Sequence, residues 1–137
     1  MKNTLALDML TYFLFRAVKT DLESLMIEDE VSLAIAVLAV GRGGFTPATV
    51  CCALAVLLVM SLLMGMGDAK LFAALTLLFG LGICYVIAGA FLLSFIYCVA
   101  GLICHRIGLK DCIPFAPFIA LPALTLWYNY LMKCLCG

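Results

Sequence analysis

The sequence predicts an all-α fold, a polytopic membrane helix bundle with about six transmembrane helices in a single domain over residues 1–137. Two observations carry that prediction. Of the residues, 67% are hydrophobic and 12% charged, and the mean hydropathy of +1.26 is far above that of an ordinary soluble domain. The apolar residues also fall into runs, at about 4–20, 31–41, 47–66, 69–81, 82–104 and 114–133, separated by short polar or glycine-containing joints. Charge excludes one class of partner. The formal net charge is zero and the eight basic residues are scattered, so the chain offers no electrostatic footprint for DNA or RNA.

Each run reads as a helix for its own reasons. The first opens after one lysine, contains Asp8 and lacks a small-residue cleavage site, which predicts a first membrane helix rather than a removable signal peptide. Asp8 is expected to be structural. The second and fourth runs fall short of the ~20 residues needed to cross upright, so they either extend into their flanks or form half-length helices near a cavity. Pro47 suits the first turn of the third helix. Leu71 to Cys104 is long enough for one very long helix or two antiparallel ones, and Gly80-Leu81-Gly82 favours a turn between two. Pro114 and Pro117 open the last helix, and Pro122 is expected to kink it. Trp127, Tyr128 and Tyr130 with Lys133 read as an interfacial belt where that helix leaves the bilayer.

If the chain starts outside and crosses six times, the joints around 16–30, 65–70 and 105–112 face the cytoplasm with Arg16, Lys19, Lys70, Arg106 and Lys110. Lys2, Arg42 and Lys133 fall on the other side, a distribution in the direction of the positive-inside tendency. Cys51, Cys52, Cys84, Cys98 and Cys104 lie within apolar runs as small hydrophobes, while Cys112, Cys134 and Cys136 lie nearer the run ends. No pair has the CxxC spacing of a zinc site. His105 beside Arg106 reads as a solvated interfacial residue.

Chemistry concentrates in two joints. Gly65-Met66-Gly67-Asp68-Ala69-Lys70-Leu71 sets a carboxylate at the seam between two apolar runs, an expensive position for a charge. The acidic joint Asp21, Glu23, Glu28, Asp29 and Glu30 falls on the same membrane face. Two carboxylates from different helices can meet there, and such a pair tends to share one proton, leaving one base and one acid. That arrangement can activate water. Asp21, directly after its apolar run, is the better partner for Asp68. Glu28, Asp29 and Glu30 precede a helix, where a solvated loop capped by Asp29 explains them. A cap that opens a helix from Ala69 is the structural alternative for Asp68, and a snorkelling anchor that for Lys70.

These segments resemble the type IV prepilin peptidases, aspartyl membrane proteases that share a GxGD element with presenilin and signal peptide peptidase. Gly65 to Leu71 is similar to the family's GxGDxKL block around its second catalytic aspartate, with Gly65, Gly67 and Lys70 as motif support. Asp21 to Leu33 resembles the first-aspartate segment, in which Ile-Pro-Asn or Ile-Pro-Asp follows the aspartate before a helix. Ile113-Pro114-Phe115-Ala116-Pro117-Phe118 resembles the IPFGPF block that opens the last helix. The three blocks occur in family order from about Val18 to Leu121. Glu28 departs from the expected proline and Ala116 from the expected glycine, which predicts a looser or differently shaped joint after Asp21.

The resemblance implies a peptidase domain over 1–137 in which Asp21 and Asp68 are the catalytic pair. Its substrate would be a prepilin or pseudopilin precursor with a basic leader followed by an apolar helix, cut at the cytoplasmic face of the inner membrane. Glu23, Glu28, Asp29 and Glu30 would attract the leader. No metal or organic cofactor is required, because hydrolysis needs only water and two acids. The paired CxxC motifs that accompany methyltransferase activity in longer relatives are not found here, so proteolysis without methylation is expected. Three alternatives stand beside this expectation. They are a presenilin-like protease acting within the bilayer, a non-enzymatic proton- or ion-coupled small transporter, and a pseudoenzyme that binds pilins without cutting.

Overall fold

The computed structural model describes residues 2–43, 45–108 and 110–136. The side chains of Lys2 and Cys134, two residues counted above, lie outside the described residues. Among the described residues every regular element is helical and none is a strand: α1 (Lys2–Ser24), α2 (Asp29–Gly41), α3 (Pro47–Leu63), α4 (Met66–Phe79), α5 (Ile83–Ile103) and α6 (Ala116–Cys136). The caps explain several boundaries. Thr46 and Thr49 form a reciprocal capping box ahead of Pro47, so α3 begins where the proline's missing N–H is harmless. α1 continues past its apolar run to Ser24 and stops when Leu25 takes a left-handed φ of 55°, which swings the chain back toward α2.

Helical structure runs unbroken through Met66–Ile103, a 38-residue stretch that includes a 3-10 turn at Gly80–Gly82. It is the one stretch among the described residues long and apolar enough to cross a membrane. α2 and α4 have 13 and 14 residues, short of an upright crossing, and α1 carries Asp8, Arg16, Lys19, Asp21 and Glu23. The 38-residue stretch is not straight. The rings of Phe72 and Phe91 lie 6.3 Å and 5.8 Å from that of Phe115, whereas a straight helix would hold residues 72 and 91 about 28 Å apart. The chain reverses at the expected turn, where Gly80 has φ +58°, a conformation that favours glycine.

α4 is the centre of the bundle. It lies between α2 and α3, and its Leu71, Phe72, Leu75 and Thr76 are fully buried. Thr76 satisfies its hydroxyl by donating to the Phe72 carbonyl at 2.7 Å. α6 packs against α1 on one side and α5 on the other. The α5–α6 contact is close because Gly89 has no side chain: a Cβ there would meet the Pro122 ring at 2.8 Å. Outward faces are also apolar, with Leu54, Leu58 and Leu62 on α3 and Leu92, Phe95 and Ile96 on α5 exposed. Helices apolar on both faces suit a lipid surround. The cysteines of the apolar runs contribute little to the core; Cys51, Cys84 and Cys104 are exposed.

Trp127 departs from the interfacial belt. It is buried, with the Phe79 ring edge-on at 5.7 Å and the Arg42 guanidinium 4.2 Å over its face. Tyr128 and Tyr130 are exposed, and the Tyr130 ring stacks on that of Trp127 at 6.3 Å. Helical rotation turns Tyr128 about 100° away from Trp127, while Tyr130, three residues on, returns to the same side.

Candidate active site

Asp21 and Asp68 reach one cavity from different helices. Asp21 lies in the last turn of α1 and Asp68 in the first turn of α4, and both line a cavity of about 320 Å³ with Leu25, Ile27, Asp29 and Lys70. Asp21 is only 5% exposed, a degree of burial that a carboxylate tolerates when hydrogen-bonded. The backbone N–H of Ala116 supplies that bond, donating to Asp21 Oδ2 at 2.8 Å. Oδ1 has no donor among the described residues and remains for water or substrate.

The Ile113 to Phe118 block therefore does more than open a helix. The first N–H groups of any α-helix lack intrahelical acceptors, and Ala116 is the first residue of α6. Its N–H finds an acceptor 95 residues away in sequence, at the end of α1. Ala116 is itself buried, and its methyl group leaves this bond in place. The helix entry beside Pro114 and Pro117 was visible in the sequence; which acceptor its first N–H meets was not.

The joint after Asp21 keeps the shape a proline would impose. Glu28 has φ −65° and ψ 131°, within the proline range, and donates no backbone hydrogen bond among the described residues. The expected loosening is not seen in the backbone. Gly67 packs against Ile27, where a Cβ would sit 3.5 Å from the Ile27 Cβ and 3.6 Å from its backbone N, while Gly65 has open space around it. Of the two glycines, Gly67 alone lies in van der Waals contact with the joint that carries Ile27.

Capping roles differ from expectation. The N-cap of α4 is Gly65, and Asp68 lies inside the first turn, because the helix begins at Met66 rather than at Ala69. This frees Asp68 from the capping alternative. Glu28, not Asp29, is the N-cap of α2, and it makes no side-chain cap bond. Asp29 instead accepts from Lys70 Nζ at 2.8 Å, so Lys70 bridges the two joints beside the cavity.

The acids around Asp21 and Asp68 are all ion-paired. Arg16 lies 2.9 Å from Glu28 and 3.5 Å from Glu30, and Lys19 lies 4.0 Å from Glu23. These pairs are substantially exposed, and they dilute the negative field that the sequence alone suggests. Glu30, with 81% of its side chain exposed and the longer contact to Arg16, keeps the most freedom to meet a partner. Comparison with protein-family models, with curated proteins and with solved structures found no match to this chain.

Proposed function

We propose that the chain is an aspartyl endopeptidase of the prepilin peptidase kind, removing a basic leader from a pilin-like or pseudopilin precursor at the cytoplasmic face of the inner membrane. The observation that carries this reading is the convergence of Asp21 and Asp68 on one cavity, with Asp21 held by a backbone N–H. One carboxylate takes a proton from water as the water oxygen attacks the scissile carbonyl carbon. The other, protonated, gives its proton to the carbonyl oxygen; when the tetrahedral diol collapses, the first carboxyl gives its proton to the leaving nitrogen, a diol hydroxyl returns a proton to the second carboxylate, and the C–N bond breaks. Both carboxyl groups return to the shared-proton state, so water is the only reagent consumed.

A six-crossing arrangement goes with this reading. The end of α1, the start of α2, the α3–α4 joint and the start of α6 gather around Asp21 and Asp68 at one end of the bundle, as a cytoplasmic active site requires. The substrate's apolar helix would lie against the enzyme's apolar outer faces, with its leader boundary at the dyad.

The test is cleavage of a co-expressed pilin precursor by the intact protein, Asp21→Asn and Asp68→Asn at matched membrane levels. Each variant is expected to lose at least about a hundredfold in rate. Retained cutting by both variants would sink the dyad. If the intact protein cuts no pilin but carries proton-coupled flux, the transporter reading takes its place.

A further inference from the structure

The cavity shared by Asp21 and Asp68 has a third carboxylate on its wall, and a cation of the chain already sits on it. Asp29 Oδ1 accepts from Lys70 Nζ at 2.8 Å, and both residues line the cavity. We propose that Asp29 is the seat of a substrate cation, a lysine or arginine side chain near the scissile bond, and that Lys70 holds this seat until the substrate displaces it. Lys70 and Asp29 would then set specificity without touching the reacting atoms; the exchange rests on the peptidase reading for what the substrate is.

Position singles out Asp29. Glu28 and Glu30 pair with Arg16, and Glu23 pairs with Lys19, but none of these three acids lines the cavity. Glu30 lines an apolar groove between α1 and α2 instead. A cavity of about 320 Å³ admits only about two or three residues of extended chain at ~3.3 Å each, so a cation on Asp29 belongs to a residue close to the bond being cut. Lys70 can leave at little cost. Asp29 has 73% of its side chain exposed and Lys70 40%, and so open a pair favours contact by only about two- to fivefold. An ammonium on a flexible four-carbon stem swings aside without disturbing α4. A basic side chain replaces it one for one, whereas a neutral side chain offers Asp29 nothing in exchange, so the pair works against neutral leaders as well as for basic ones.

Binding and cutting are measured separately. The full chain in neutral detergent micelles is titrated, by fluorescence anisotropy, against a labelled peptide with lysines ahead of an apolar segment and against the same peptide with glutamines in their place. Parent, Lys70→Gln, Asp29→Asn and the double variant are compared, with Lys19→Gln removing an equal charge from a pair outside the cavity. Lys70→Gln is expected to bind the lysine peptide about two- to fivefold tighter and the glutamine peptide as the parent does. Asp29→Asn should lose most of the preference for lysine, and adding Lys70→Gln to it should gain nothing, because the seat is gone. An equal gain from Lys19→Gln, or the same gain in the Asp29→Asn background, would show long-range attraction and overturn the proposal. Weaker binding of both peptides by Lys70→Gln would also overturn it, making the pair a strap that shapes the cavity. Precursor cleavage by the same proteins tests the peptidase reading on its own: a chain that binds as described and cuts no precursor keeps the cation seat and loses the proposed reaction.

Discussion

The backbone N–H of Ala116 donates a 2.8 Å hydrogen bond to the buried carboxylate of Asp21, 95 residues away in sequence. The bond ties the last turn of α1 to the first turn of α6, and it orients Asp21 with a backbone group that only a proline at position 116 would remove. A rigid backbone donor is a better positioning device than a flexible side chain, because little entropy is lost in using it.

Removing that donor is the sharpest test of its role. Ala116→Pro suits the first position of a helix but lacks the N–H and crowds Asp21, so it should lower stability by about 1–3 kcal/mol and reduce cleavage. Ala116→Gly keeps the donor and should cut at close to the parent rate. Thermal unfolding and precursor cleavage, measured side by side, would show a positioning role if the proline variant loses far more rate than its remaining folded fraction explains. Equal cleavage by the two variants would remove Ala116 from the site.

Glu28→Pro restores the residue that the resembling family carries. The backbone already has φ −65° and no hydrogen bond from this N–H, so the ring fits and narrows the unfolded ensemble. Loss of the exposed Arg16–Glu28 pair works in the other direction. The two effects are of similar size, so the denaturation midpoint should stay within about 1 kcal/mol of the parent. A loss of several kcal/mol would show that the joint is not shaped as described.

Charge reversal separates attraction from architecture in the acidic joint. Glu30→Lys should slow cleavage of a basic-leader precursor more than that of a neutral-leader one, with the difference shrinking as salt rises. Because Arg16 already offsets part of this charge, the expected ratio is modest, about two- to fivefold. A uniform loss for both leaders would point to a structural role for Glu30.

Gly89→Val tests the α5–α6 contact. A Cβ would meet the rigid Pro122 ring at 2.8 Å, and relief requires the two helices to separate. The variant should be destabilised by about 1–3 kcal/mol in a detergent thermal-shift assay. Gly41→Ala, with nothing within 4 Å of the added methyl group, serves as the tolerated control.

The helical elements and their punctuation were legible because they depend on local chemistry. Pro47 behind Thr46, the turn at Gly80-Leu81-Gly82 and the start of α6 beside Pro117 each follow from what a residue does to its own φ or N–H. The acidic joint was legible as a cluster but not as a set of ion pairs. Arg16, on α1, meets Glu28 and Glu30 only once the chain reverses at Leu25, and Lys70 meets Asp29 only once α4 lies beside α2. Trp127 was misplaced for the same reason: its burial depends on α2 and α4 covering that face of α6.

The sequence by itself determined that this is an apolar, all-helical chain with carboxylates at two polar seams, because hydropathy and capping act within a few residues of where they are written. Tertiary structure alone decided that Asp21 and Asp68 share a cavity, that Ala116 holds the first of them, and that Arg42 rests on a buried tryptophan at the opposite end. Those relationships join residues tens of positions apart, and only the packing of whole helices determines which distant donor meets which acceptor.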